Sequence, residues 1–181
     1  MTHDSLRQRL KAATAGQHER VDVAFSSFDL ESIKGYRAFL GAHLQVVHPL
    51  EVALEAAGID RLIHDWANRQ RRHALMADLH ELGENRIALP APLVVEPTPG
   101  WCLGACYVLE GSRLGGRLLA RRVAAANPAA PLNYLAHTDT SPSWPGFLEE
   151  FEQSARLQPW QVLLAGASDC FDLFVAAAAG H

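Results

Sequence analysis

Residues 98–126 read TPGWCLGACYVLEGSRLGGRLLARRVAAA, and this stretch decides the fold class. Thr98 offers a side-chain oxygen to the free amides of a first helical turn, and Pro99 occupies the first helical position, where its missing N–H costs nothing. The helix so opened runs to about Ala126, and Asn127-Pro128 stops it. It holds Gly111, Gly115 and Gly116, which together cost on the order of 3 kcal/mol relative to alanine in a rigid helix. Gly111, Ser112 and Gly115 fall on one helical face. Backbone bared in this way admits a flat partner, a kink or a closely packed second helix, and the residues alone leave these open. The glycine order lacks the lysine of a phosphate loop and follows no strand.

The flanking sequence is helical in the same manner. From Asp4 to Phe25 the apolar residues Leu6, Leu10, Ala13, Val21 and Phe25 keep helical spacing. Ser26-Ser27-Phe28-Asp29 interrupts that helix, with Asp29 the expected cap of the next. The second helix carries Ile33, Tyr36, Phe39, Leu40, His43, Leu44 and Val47 as its stripe; Pro49 should bend it and Gly58 end it. A third helix is expected from about Asp60 to Leu82, stopped at Gly83. Pro90, Pro92 and Pro97 mark residues 84–97 as a connection. After a loop through Ser141-Pro142-Ser143, a short helix covers Trp144 to Leu157, and Gln158-Pro159 opens the last one. Alternating strand pattern, repeat and linker are all missing, so the expectation is an all-α fold with residues 1–181 as a single domain.

Composition bounds the function. Hydrophobic residues make up 49% of the 181 and charged residues 20%, which suits a buried core. Sixteen basic against twenty acidic residues leave a net charge of −4, which argues against nucleic-acid binding through a basic surface. No uninterrupted apolar run approaches the roughly 18 residues of a membrane span, and MTHDSLRQRLK lacks the apolar stretch of a secretory signal. Three cysteines without CxxC spacing suit a reducing compartment. The expectation is a soluble cytoplasmic protein with no membrane partner. Cys102 and Cys106 read as buried thiols, and Trp66, Trp101, Trp144 and Trp160 as core anchors. Arg69, Arg71 and Arg72 read as a solvated basic face. His73 and His80 share a helix face without a third ligand.

His18 continues the Leu10–Thr14 row at i+4 spacing, with Val21 and Phe25 after it, so its ring is expected to face inward. Such a histidine is either a satisfied core residue or a metal ligand. Asp22, four residues on, is within reach of one ring nitrogen and would fix its tautomer. No His, Cys or Glu stands nearby at zinc spacing, and a single imidazole among apolar residues suits haem, whose porphyrin supplies the equatorial donors.

Together, Leu10-Lys11-Ala12-Ala13-Thr14-Ala15-Gly16-Gln17-His18 and Leu109-Glu110-Gly111-Ser112-Arg113-Leu114-Gly115-Gly116 resemble the proximal and distal helices of the haem oxygenase family, in particular its bacterial biliverdin-producing, bacteriophytochrome-associated branch. Weaker likeness covers Tyr36–Leu40, Pro49–Glu51, Asp78–Gly83 and the Ala167/Phe171/Phe174 pattern. The resemblance implies a multi-helix bundle gripping haem between the first helix and the glycine-rich one. Haem would serve as cofactor and substrate, cleaved with O2 and external electrons to biliverdin, ferrous iron and carbon monoxide. It implies His18 as iron ligand, supported by Thr14 and Asp22, and Gly111, Ser112, Gly115 and Gly116 over the oxygen-binding face. Lys11, Arg113, Arg117, Arg121 and Arg122 are the candidates for the propionates. Ser112 stands where mammalian-type members have aspartate, so the water network needs other donors, and the last helix has no lysine or arginine. A reductase or small redox protein is the implied electron donor, since the chain has no flavin fingerprint or cluster-binding cysteines, and a bacteriophytochrome is an implied acceptor of the product.

Two other classes stay open on these residues: a haem-binding or sensor protein of the same fold without turnover, and a helical phosphotransfer or scaffold domain without cofactor. Haemin addition separates the third class from the first two, and supplying electrons separates oxygenase from sensor.

Overall fold

A computed structural model of the chain describes residues 5–136 and 143–180, and among these the regular structure is entirely helical. The helix expected over Asp4–Phe25 is two helices, α1 (Leu6–Ala13) and α2 (Ala15–Phe25); Asp4 lies outside the described residues. Thr14 makes the break, at φ −105° and ψ 8°, with its hydroxyl donating to the Leu10 carbonyl over 2.8 Å. That local bond competes with helix continuation, a signal that the apolar spacing did not contain. Ser5 and Gln8 close a capping box at the start of α1.

Helix α3 (Ile33–Ala56) is capped by Ser32, not by the expected Asp29: the Ser32 hydroxyl accepts from the Gly35 amide at 3.0 Å, while Asp29 accepts from Glu31. A β-carbon at Gly35 would strike the Asp29 carbonyl, so this turn requires glycine. Pro49 lies inside α3, which continues past it to Ala56, and Gly58 follows the helix end at φ +78°. The expected third helix is three pieces: a 3-10 turn at Ile59–Arg61, α4 (Trp66–Arg69) and α5 (Arg72–Glu81). Gln70 is extended, and the start of α5 is held from elsewhere. The buried Glu51 carboxylate of α3 accepts from the Arg71 amide at 2.8 Å and the Arg72 amide at 3.1 Å. Gly83, at φ +91°, ends the segment as expected.

Helix α6 (Pro99–Ala126) passes through all three glycines without a break, with Thr98 as its cap. A short α7 (Asn133–Ala136) was not expected; Asp78 of α5 pins it by accepting from the Asn133 and Tyr134 amides. Then come α8 (Trp144–Ala155) and α9 (Trp160–Ala179); Ser141, Pro142 and His181 lie outside the described residues. Helices α6 and α9 cross in close contact, where a β-carbon on Gly104 would run into the Leu163 carbonyl and one on Gly166 into the Trp101 carbonyl. Helix α9 is long and apolar enough to cross a membrane by length and composition, although Asp169 and Asp172 interrupt its apolar run. Here it packs against α6, α2 and α3. Cys102, Cys106 and Cys170 are buried thiols; Trp66 and Trp101 are buried, and Trp144 and Trp160 half-buried.

Candidate functional site

Helix α2 has no buried residue. The row that carries His18 is buried at one end, through Leu10 and Thr14, and half-buried at the other, through Val21 and Phe25. His18 itself is 66% exposed, which corrects the expectation of an inward ring. Helical spacing set the side of the helix correctly, but no neighbouring helix closes over its middle. The Asp22 carboxylate lies 3.0 Å from His18 Nδ1, leaving Nε2 as the uncommitted nitrogen. Helix α2 leans on α9 through Gln17 to Ser168 at 3.1 Å, Arg20 to Asp172 at 3.0 Å, and the His18 ring edge against Phe171.

The three glycines of α6 divide. Gly115 has nothing within 4 Å of where a β-carbon would sit, and Gly111 has only the Trp144 ring at 3.9 Å. Gly116 points the other way, its β-carbon position 3.0 Å from the Leu135 carbonyl, so it serves the α6–α7 contact rather than the open face. Leu114 and Leu118 are exposed beside Gly115, as Val23 is on α2.

A chain of aromatic contacts links the two helices. Phe25 of α2 packs on Phe39, His43 and Phe174, and His43 packs on Tyr134. The Arg71 guanidinium sits 5.1 Å over the Tyr134 ring and donates to Ser112 Oγ at 2.7 Å, which completes a path of contacts from α2 to α6. His43 gives its Nδ1 proton to the Phe39 carbonyl at 2.9 Å, and burial pulls its pKa down to about 3, so the ring is neutral.

Arg69, Arg71 and Arg72 are not a solvated face. Arg69 pairs with Asp65 and Glu110, Arg72 pairs with Glu55 and Glu51, and Arg71 is 3% exposed. Nothing in the residue types announces this: a run of arginines looks the same whether or not carboxylates from α3 and α6 meet it. Arg113 is likewise turned into this network, donating to Glu110 at 2.8 Å and to the Arg69 carbonyl, and so is not placed to bind a propionate. Thr14 has its hydroxyl proton committed to Leu10. Lys11, Arg117 and Arg121 are exposed with no ion pair among the described residues, and Arg122 pairs with Glu31 at the end of α6. No group of three or more His, Cys, Asp or Glu that could hold a metal ion occurs among the described residues.

These residues fit a haem. An imidazole with one nitrogen oriented and one free, exposed valine and leucines on two helices, a bare glycine backbone and uncommitted cations together match an iron, an apolar ring and its carboxylates.

No family model matches the sequence. The chain is 33% identical over 126 residues to a haem oxygenase of Xanthomonas campestris pv. campestris, covering 68% of this chain and 74% of that one. It is 28% identical to haem oxygenase PigA of Pseudomonas aeruginosa over 96% of this chain and 91% of that one. In fold it is similar to a haem oxygenase of Neisseria meningitidis solved with NO and CO bound, at a TM-score of 0.79 and 22% identity, covering 98% of this chain and 92% of that one.

Proposed function

The chain belongs to the haem oxygenase family, and from that premise we propose that it opens haem to biliverdin with release of ferrous iron and carbon monoxide, His18 Nε2 holding the iron and the Gly111–Gly115 backbone covering the opposite face. Haem is the substrate, and once bound it also supplies the iron at which O2 is activated; the electrons come from a reductase or small redox protein. Two observations support the assignment of residues: an exposed imidazole oriented by Asp22 on a helix that buries none of its side chains, and a glycine of α6 with nothing within 4 Å of where its β-carbon would sit.

Asp22 keeps the His18 proton on Nδ1 and points Nε2 away from itself. Gly115 and Gly111 let a flat substrate approach the backbone of α6, which any larger residue would hold off. Ser112 has a narrower role than a free hydroxyl: its proton goes to the Leu109 carbonyl at 2.7 Å, so toward substrate or water it acts as an acceptor. Lys11, Arg117 and Arg121 pair with the propionates, and Arg122 can join them by releasing Glu31. In the same reading residues 1–181 work as one domain in the cytoplasm, and the biliverdin passes to a bacteriophytochrome.

Haemin titration of the purified protein tests the reading, followed by reduction in air. The expected result is a shifted haem band that decays as a biliverdin absorption grows. His18→Ala should lose the axial nitrogen signal and regain it with added imidazole. An unshifted haemin spectrum in the wild type would overturn the proposal, and normal ligation in His18→Ala would overturn the choice of histidine.

A further inference from the structure

Residues 86–96 read RIALPAPLVVE, an uncharged stretch closed by an arginine at one end and a glutamate at the other. From Ile87 to Thr98 the chain runs from α5 toward α6 without a turn or a bend. Ile87 and Leu93 pack against the core, whereas Leu89, Val94 and Val95 are exposed, Val94 completely. No backbone–backbone hydrogen bond among the described residues involves an amide or a carbonyl of residues 87–96. A row of free donors and acceptors beside exposed apolar side chains is a template for pairing with another extended chain.

We propose that this segment is a self-pairing edge through which two copies of the chain associate, antiparallel about a twofold axis at Ala91. Two features of the sequence fit that register. The first is the placing of the prolines. In an antiparallel ladder, alternate residues turn their N–H and C=O toward the partner strand. Centred on Ala91, the residues that bond across are Ile87, Leu89, Ala91, Leu93 and Val95, each of which has an N–H to give. Pro90 and Pro92 fall between them, at positions where no N–H is needed. The second feature is charge. The same register sets Ile87 opposite Val95, Leu89 opposite Leu93, and Arg86 of each copy opposite Glu96 of the other. Arg86 and Glu96 are exposed, and neither has an ion-pair partner within the chain among the described residues. Moving the axis by one residue either way takes Arg86 off Glu96. The segment includes no residue assigned to haem, so this interface stands apart from that reading.

Sedimentation equilibrium of the full chain over about 5–300 µM tests the proposal. A single ribbon is a small interface, so the expected dimer is weak, half formed at about 10–100 µM. Arg86→Glu and Glu96→Arg should each weaken it about tenfold or more, because like charges then face each other twice across the axis. Mixed in equal amounts, the two variants should pair with each other about as tightly as the wild type pairs with itself, since every facing pair is again opposite in sign. Both side chains are exposed, so both variants should melt close to the wild type. Ala91→Pro, which removes the N–H that each copy gives across the axis, should also lose the dimer. A chain that stays monomeric throughout overturns the proposal. So does a dimer untouched by Arg86→Glu and Glu96→Arg, or a mixture of the two that associates no better than its components.

Discussion

Arg69 Nη1 donates to Glu110 Oε2 over 2.7 Å, and the two side chains are only 1% and 2% exposed. Glu110 immediately precedes Gly111, so this pair ties α4 to α6 at the edge of the glycine face. Asp65 on Arg69 and Arg113 on Glu110 extend it, which satisfies more of the donors and acceptors that burial would otherwise strand.

Removing one member of that network strands the others. Glu110→Leu is expected to destabilise the protein by about 3–5 kcal/mol, measured by urea unfolding, because two guanidinium groups lose a buried counter-charge. Arg69→Met combined with Glu110→Leu should cost less than the two single changes added together. Simple additivity in that cycle would mean that the buried pair is not coupled.

The glycines of α6 separate folding from binding. Gly115→Ala should stabilise the unliganded protein by about 0.5–1 kcal/mol, since alanine is the better helix former and nothing lies within 4 Å. The same change should weaken haemin binding. Gly104→Ala should do the opposite to stability, costing about 2 kcal/mol or more, because its methyl runs into the Leu163 carbonyl at the α6–α9 crossing. Thermal melts of both variants check this, and a destabilised Gly115→Ala would show that the face is already covered.

The sequence made visible whatever was decided within one turn of helix. Thr98-Pro99, Gly58, Gly83 and Pro159 bound their helices as their local chemistry requires, and Asp22 meets His18 because i+4 residues are neighbours. What it hid was set from far along the chain. The start of α5 is capped by Glu51, and α7 is pinned by Asp78; neither partner lies within a local window. Gly116 shares a cluster with Gly115 yet faces Leu135, since one residue turns the helix by about 100°. Arg71 looked solvated because its burial is made by Tyr134 and Ser112, both distant in sequence.

His43 gives the fold an acid-side weakness. Its pKa falls from 6.5 to about 3 through burial, while in the unfolded chain it titrates normally. The unfolded state therefore takes up a proton that the folded state refuses, and stability present above pH 6.5 is lost as the pH falls toward 3. The slope should approach about 1.4 kcal/mol per pH unit well below the unfolded pKa. Glu51 and Asp78, both raised by burial, act in the opposite sense, so the comparison must be with a variant. His43→Phe should flatten the urea-unfolding midpoint between about pH 6 and pH 4 relative to wild type. Parallel pH profiles would mean that another group carries the acid sensitivity.

Asp22 separates orientation from ligation at His18. The pair is exposed, with 66% and 68% of the two side chains open to solvent, so its contribution to folding is small. Its effect should appear only when His18 has to present Nε2 to iron. Asp22→Asn keeps the size and can still accept from Nδ1, but gives up the negative charge that strengthens the imidazole as a donor. The thermal midpoint should stay within about 1 °C of wild type, because surface changes away from special features are nearly neutral. Haemin affinity should fall by about tenfold, with the axial nitrogen signal retained. Asp22→Ala should fall further, since the ring then loses its tether as well as the charge. Equal haemin affinities in all three proteins would show that His18 holds its orientation without Asp22, through its contact with Phe171 alone.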